Sequence, residues 1–291
     1  MIPFFIYYSM FGFQRVGDFI WAAADMRTKG FLLGATAGRT TLAGEGLQHQ
    51  DGHSHLMASV IPNVKAYDPA YAYEIAVIIH DGLQRMYVNQ EDIFYYLTLE
   101  NENYVQPGLP ENVEDSIIKG MYKLQTGESG KNPRVQLLAS GSMVNEVIMA
   151  AQILKDDWKI DADIWSVTSF SELHREAEDK SRWNILHPNE DDKQSYVRAS
   201  LIVENGPVIA VSDYVKLVAE QIAPYINCPF VALGTDGFGR SETRDELRKF
   251  FEVNRYYITM TALESLSNEG KVDKSKVKDA NVYTKGMFSK D

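Results

Sequence analysis

Short apolar runs alternate with amphipathic stretches along the first third of the chain. Continuous apolar runs of this length are typical of strands buried on both faces of a sheet, and apolar residues at a spacing of three to four predict helices. The predicted strands are Pro3–Tyr8 (PFFIYY), Phe31–Thr36 (FLLGAT), Val64–Tyr67 and Ile93–Leu99 (IFYYLTL). The predicted helices are Phe11–Lys29, Ser54–Ile61 and Asp68 to about Met86. This alternation predicts a parallel, doubly wound sheet.

Local signals predict where two of these helices begin or end. Ser9 is a predicted cap of the first helix, and Gly30 is its predicted stop. Pro69 suits the first position of the third helix, because the N–H that proline lacks has no partner there in any case.

A second α/β unit is predicted from Arg134 onward. Its predicted strands are Val135–Ala139, Asp163–Val167, Pro207–Val211 and Phe230–Leu233. Its predicted helices are Val144–Lys155, Leu173–Gln194, Tyr214–Tyr225, Glu242–Phe251, Tyr256–Ser267 and Val272–Asp279. The polar stretch NENYVQPGLPEN and the turn GESGKNP separate the two units, and the lysine-rich tail is predicted to fray. We therefore predict an α/β protein with two doubly wound, mostly parallel-sheet domains at 1–105 and 127–291, joined by a linker at 106–126.

Composition and charge narrow the functional classes. The chain has 291 residues, 45% of them hydrophobic, which suffices for about two domains. Its net charge of −11 argues against a nucleic-acid partner, because phosphate backbones would be repelled. No apolar run approaches the roughly 20 residues of a membrane helix. The lone Cys228 excludes an internal disulfide framework and fits a reducing cytoplasm, and it is predicted to be a buried, inert thiol.

The stretch Gly44–His55 (GEGLQHQDGHSH) is the strongest candidate for chemistry. It holds three of the six histidines and follows a predicted strand, where parallel sheets place ligands. Imidazoles transfer protons near neutral pH, whereas the alternative is a polar surface loop with incidental histidines. His53 and His55 could hold zinc, but a structural site needs two more ligands and no cysteine pair or HExxH accompanies them. Proton transfer or an anion contact is favoured over zinc.

The stretch Gly234–Gly239 (GTDGFG) looks like a phosphate loop but matches neither GxGxxG nor GxxxxGK[ST]. A loop that enters a helix, capped by Ser241 or Thr243, explains it equally well and is the favoured interpretation.

Several motifs occur together in the chain. They are YYSMFGFQRVGDFIWAAADMRTKGFLLGATAGRTTLAGEGLQHQDGHSH, YDPAYAYEIAVIIHDGLQRMY, VTSFSELHREAEDKSRWNILHP and LGTDGFGRSETRDELR. They resemble the homodimeric bacterial form of the first, decarboxylating component of the pyruvate dehydrogenase complex, over nearly the whole chain. The resemblance implies part of a pyrimidine-binding domain followed by a transketolase C-terminal-like domain. It also implies thiamine diphosphate with Mg²⁺, oxidative decarboxylation of pyruvate, reductive acetylation of a lipoyl group on the acetyltransferase, and a homodimer.

The resemblance assigns roles to five residues. His49, Tyr8 and Glu45 match catalytic positions, and Phe11, Tyr8 and Arg15 match positions that bind the cofactor, with Phe11 stacking on its pyrimidine ring. It assigns no role to His53 or His55.

One family motif has no match in the chain. The GDG…N motif that binds magnesium and the diphosphate is absent, so no metal ligand is predicted here, and the activating glutamate is expected upstream of Met1. Strands that would flank Pro3–Tyr8 are expected upstream as well, and without them the strand would expose unpaired backbone groups and promote aggregation. We therefore expect the isolated chain to be inactive. The alternative is a non-catalytic dimerisation or assembly module, and a generic oxidoreductase or transketolase relative is disfavoured by the LQHQDGHSH loop.

Overall fold

A computed structural model describes residues 1–128, 130, 132–202 and 206–288, and of residues 282–288 it describes the backbone only. The strands are β1 (Phe4–Tyr8), β2 (Phe31–Ala35), β3 (Val64–Tyr67), β4 (Phe94–Leu99), β5 (Met121–Gln125), β6 (Arg134–Ala139), β7 (Asp161–Val167), β8 (Val208–Val211) and β9 (Phe230–Leu233). The helices are α1 (Phe13–Asp25), α2 (Ser54–Ser59), α3 (Ala72–Leu83), α4 (Glu114–Lys119), α5 (Met143–Ile153), α6 (Phe170–Leu186), α7 (Tyr196–Ile202), α8 (Leu217–Glu220), α9 (Arg244–Phe250), α10 (Arg255–Asn268) and α11 (Lys274–Phe288).

The first unit is a four-stranded sheet in the order β1-β2-β4-β3, and every pair is parallel. Its core is rich in aromatic residues, because β4 places Phe94, Tyr95 and Tyr96 inside a cluster that also takes side chains from α1 and α3. The alternation of strands and helices predicted from the sequence is confirmed.

The strand β1 is not buried on both faces, so that prediction is wrong. It is an edge strand of the sheet, and Phe5 and Ile6 are 61% and 62% exposed. The reason is that no strand among the described residues pairs with its outer edge.

The second unit is a five-stranded sheet in the order β5-β7-β6-β8-β9. All pairs are parallel except β5 with β7. Neighbouring residues along β6 point to opposite faces of the sheet. Leu137 and Leu138, for example, enter two different apolar clusters, one on each face. Helices therefore cover both faces, which is the doubly wound arrangement that the sequence predicts. The predicted linker contains α4 and β5, and β5 is hydrogen-bonded into this second sheet.

Three local predictions are wrong for identifiable reasons. Ser9 does not cap a helix, because its hydroxyl bonds to Asp51 and Tyr96 instead. The third helix begins at Ala72 rather than Pro69, because the Glu74 carboxylate accepts the N–H groups of the residues just before that start. The predicted helix at 214–225 is only the short α8 followed by a 3₁₀ turn.

Other local predictions are confirmed in full or in part, or fall outside the described part. Thr243 caps α9 by accepting the Glu246 N–H, as the helix-entry interpretation of the preceding loop requires. Cys228 is half-buried and not fully buried as predicted, although its partial burial raises the pKa of its thiol. In the predicted turn at 127–133, Ser129 and Lys131 lie outside the described residues, as does the end of the predicted tail. None of the helices described here has the length and apolar character required to cross a membrane.

Candidate functional site

The aromatic part of the candidate site is built where β1 ends. Tyr8 is the last residue of β1, Phe11 lies in the 3₁₀ turn that follows, and Arg15 lies in the first turn of α1. The rings of Tyr8 and Phe11 are 5.6 Å apart between centroids. The Arg15 guanidinium lies over the Phe11 ring, 4.8 Å from its centroid, which is a cation–π contact.

The loop after β2 brings a histidine and a carboxylate to these rings. The His49 ring lies 5.4 Å from Tyr8 and 5.3 Å from Phe11. Its Nδ1 is 2.8 Å from a Glu45 carboxylate oxygen, but the two groups are not aligned for a hydrogen bond. The five residues predicted from the sequence therefore form one continuous cluster, although they come from two separate segments, 8–15 and 45–49.

Buried carboxylates fix the loop that carries His49. Asp213, which follows β8 of the second unit, accepts the N–H and the hydroxyl of both Thr40 and Thr41 at 2.7 to 3.1 Å. Asp51 accepts the N–H groups of His53 and Ser54 at 3.0 Å, and Gln14 of α1 at 2.7 Å. Because both carboxylates are fully buried, these bonds strongly determine the path of the loop.

The two histidines without an assigned role are separate structural groups. His55 is buried, its Nε2 lies 3.1 Å from the Thr98 hydroxyl, and its ring packs edge-on against Tyr214. His53 Nδ1 accepts from Arg39 at 3.3 Å. Burial lowers the pKa of both rings, and the Arg39 charge lowers that of His53 further, so both are neutral near pH 7. This arrangement favours support of the loop over the zinc pair considered above.

The cluster faces solvent. Tyr8 is 39% exposed, and the side chains of His49 and Glu45 are 23% and 40% exposed. Phe11 and Tyr8 offer an accessible aromatic face, which fits one flat ring of a ligand. Among the described residues, no group of three or more His, Cys, Asp or Glu side chains is placed to hold a metal ion. The aromatic residues of the cluster therefore fit the flat ring of a cofactor.

Comparisons with known proteins place both units in families. Residues 1–107 match the family model described as "Pyruvate dehydrogenase E1 component middle domain". Residues 120–254 match "Transketolase-like TK C-terminal domain". The chain is 57% identical, over 96% of its length, to the "Pyruvate dehydrogenase E1 component" of Cupriavidus necator. The chain therefore matches one part of a pyruvate dehydrogenase E1 component, which confirms the resemblance seen in its motifs. It spans about a third of the length of the curated relatives it matches, 31% in this case.

Solved structures show the same fold at low sequence identity. The transketolase of Leishmania mexicana aligns with a TM-score of 0.67 at 18% identity, over 92% of this chain and 34% of that one. A chain described as "Split gene transketolase, inactive beta4 tetramer" aligns with a TM-score of 0.63 at 16% identity, over 91% of this chain and 77% of that one. The chain therefore has a transketolase-like α/β fold.

Sequence reasoning missed the residues that support the cluster. Arg39, Gln50 and Asp213 are all buried, and the partners of each lie largely in the other unit. Nothing local in the sequence identifies them, because the partners are more than 150 residues away along the chain. The signals were weak: Gln50 lies within the Gly44–His55 loop, Arg39 lies shortly before it, and Asp213 follows a predicted strand.

Proposed function

We propose that the chain supplies one part of a thiamine diphosphate site in a pyruvate dehydrogenase of the acetyl-transferring type. The observation that carries the proposal is the cluster of Tyr8, Phe11 and His49 at the carboxyl end of β1. The names of the relatives support the same activity. The reaction is oxidative decarboxylation of pyruvate with reductive acetylation of a lipoyl group, which feeds acetyl-CoA synthesis.

Thiamine diphosphate, when bound, supplies the electron sink that decarboxylation of a 2-oxo acid requires. Phe11 provides the face on which its pyrimidine ring stacks, and Arg15 holds the Phe11 ring in place through the cation–π contact. Tyr8 offers a hydroxyl to a developing oxyanion. Glu45 beside Nδ1 of His49 favours a proton on that nitrogen, which leaves Nε2 to accept or donate a proton at the substrate.

The site needs more than the described residues. Mg²⁺ and the diphosphate require ligands that we place outside this chain, because no described cluster suits a metal. We also place the activating glutamate outside it and expect the isolated chain to be inactive. The further partners in this proposal are the lipoyl domain of the acetyltransferase and a second copy of the enzyme, in the cytoplasm.

A chimera tests the proposed function directly. The matching third of the Cupriavidus necator relative is replaced by this chain, and pyruvate-dependent acetylation of a lipoyl domain is measured. Activity close to that of the relative is expected, and an inactive but folded chimera would contradict the proposal. Within the chimera, His49→Ala should slow turnover by about 10²-fold or more, since a proton carrier is lost. His80→Ala, at an exposed histidine on α3, is the matched control.

The cofactor contact has its own test in the same chimera. Phe11→Ala should weaken thiamine diphosphate affinity by roughly 1–3 kcal/mol, because a stacking face is removed. Phe19→Ala, at a residue 74% exposed on α1, is the control. Unaltered cofactor binding in Phe11→Ala would remove Phe11 from the site.

The second candidate function is a non-catalytic dimerisation or assembly module. The observation that favours it is the exposed apolar edge strand β1, which can pair with another strand. Two measurements on the 291-residue chain distinguish the two candidates. Calorimetric titration with thiamine diphosphate and Mg²⁺ measures cofactor binding, and sedimentation measures the oligomeric state. Absence of binding with a stable oligomer would favour the module, whereas saturable binding would mean that the chain holds a cofactor site by itself.

A further inference from the structure

Two buried side chains of the site loop are held by the second unit. Arg39 is 2% exposed, and its Nη1 donates to the backbone carbonyls of Thr235 and Gly237 in the loop after β9. Its Nη2 lies 3.3 Å from His53 Nδ1. Gly52 packs directly on the guanidinium, since a Cβ there would lie 2.3 Å from it. One cation therefore joins the loop after β9 to both ends of the segment that contains His49.

Gln50 makes the second connection, next to His49 in the chain. Gln50 is 1% exposed, its amide donates to the Leu42 carbonyl at 2.6 Å, and its oxygen accepts the Arg240 N–H at 2.7 Å. Gly239 packs against the same side chain, because a Cβ there would come within 2.5 Å of the Gln50 oxygen. The loop after β9 therefore contacts Gln50 from one side while the site loop holds it from the other.

Backbone bonds between the units complete the connection. The Gly44 N–H bonds to the Glu242 carbonyl at 2.9 Å, and the Val215 N–H bonds to the Gly52 carbonyl at 3.0 Å. Within the site loop, the N–H groups of His49 and Gln50 both reach the Gly46 carbonyl. The turn that carries His49 is thus bordered on each side by contacts with the second unit.

Burying the charge of Arg39 costs free energy, and the contacts that offset this cost fix the position of the segments around it. A guanidinium taken out of water is stable only where its hydrogen bonds and nearby charges replace its hydration. Here two carbonyls replace it at Nη1 and a neutral imidazole at Nη2, while Nε has no hydrogen-bond partner among the described residues, and Asp51, Asp213 and Asp236 are the nearby negative charges. Such a group fixes the relative position of the segments that bind it, because a shift of any of them leaves a buried charge without partners.

We propose that Arg39 and Gln50 are positioning residues through which the loop after β9 sets the position of His49. The catalytic consequence rests on the proposed function above, whereas the order of the loop does not. The GTDGFG loop, interpreted from the sequence as a helix entry, then has a second task. Through its contacts with Arg39 and Gln50, it orders the site loop of the other unit.

Hydrogen exchange measured by mass spectrometry on the 291-residue chain tests the ordering. The variants are Arg39→Gln, Gln50→Met and, from the opposite side of the contact, Gly239→Ala. Arg27→Gln, at a solvent-exposed arginine on the surface, is the matched control.

Exchange at 44–52 should accelerate by about tenfold or more in each test variant, while exchange in β6 and β7 and in the control stays unchanged. Unchanged exchange at 44–52 in the folded variants, or equal acceleration everywhere, would overturn the proposal. If Arg39→Gln fails to fold, Gln50→Met and Gly239→Ala decide.

The catalytic consequence is measured in the chimera. Arg39→Gln and Gln50→Met should lower kcat by about tenfold or more with a smaller change in KM for pyruvate, because a displaced proton carrier affects the chemical step more than binding. Arg39→Lys should restore part of kcat, because it keeps the charge but not the fork of donors. A loss confined to KM would overturn the positioning role. An inactive unmodified chimera would contradict the proposed function alone, since exchange still reports on the loop.

Discussion

Glu100 is a buried acid whose replacement should stabilise the protein in a pH-dependent way. It follows β4, and both of its carboxyl oxygens are buried without a hydrogen-bond partner among the described residues. One of them and an Asp68 oxygen both lie within 3.0 Å of the position that a Cβ on Gly141 would take. Burial raises the pKa of Glu100 well above its usual range, and the charges of Asp68, Asp213 and Glu102 raise it further, against the opposing effect of Arg248.

The sign of the effect follows from proton linkage. Because the pKa of Glu100 is higher in the folded state, the folded protein holds a proton that the unfolded chain has lost. The contribution of Glu100 to the free energy of unfolding is fully present below its pKa in the unfolded chain, about 4.5. This contribution declines as the pH rises toward the pKa of Glu100 in the folded protein. The decline is at most about 1.4 kcal/mol per pH unit. Glu100→Gln keeps the shape of the protonated acid and removes the decline.

Thermal unfolding of the wild type and Glu100→Gln at pH 5, 6, 7 and 8 measures this difference. The melting temperature of the variant should rise relative to that of the wild type by on the order of 3 °C for each pH unit. Glu111→Gln, at an exposed glutamate, is the control and should show a constant difference. A constant difference for Glu100→Gln as well, or a wild type that is the more stable protein at pH 8, would refute the reasoning.

Two further predictions concern the connection between the units and the sheet edge. Asp213→Asn should lower the free energy of unfolding by about 2–4 kcal/mol, because an amide nitrogen would then face the donors of Thr40 and Thr41. A urea unfolding midpoint equal to that of the wild type would contradict this prediction. Ile6→Lys should reduce self-association seen by sedimentation velocity, because a charge on an exposed edge strand opposes strand pairing; unchanged association would show that copies meet elsewhere.

The strands and most helices could be predicted because local signals determine them. The run IFYYLTL has no helical period, and its aromatic residues pack on both faces of β4, so the strand follows directly. Helix starts were less predictable where two local signals compete. Pro69 suits a first helical position, yet the Glu74 carboxylate bonds to the N–H groups of Ala70 and Tyr71 and places the start three residues later.

The candidate site could be predicted only in part, for a physical reason. Tyr8, Phe11 and His49 carry recognisable motifs, but their closeness depends on how the loop after β2 folds back. A zinc site at His53 and His55 would need both rings on one side, as residues two apart have on a strand. The two residues instead lie at the start of α2, where side chains two residues apart point in different directions, and each has its own partner. The supporting residues depend on contacts between units, which no local pattern encodes.

The distribution of burial explains how the two units divide the site between them. The groups proposed to meet substrate, His49 and Glu45, stay partly exposed, so their position cannot come from packing alone. Arg39, Gln50, Asp51 and Asp213 are nearly or fully buried, and their hydrogen bonds allow few alternative geometries. Reactive groups that must stay accessible are thus held by groups that are inaccessible, and three of those four, Arg39, Gln50 and Asp213, bond to backbone or side chains of the opposite unit. On the proposal above, the second unit sets the geometry of a site to which it contributes none of the predicted catalytic residues.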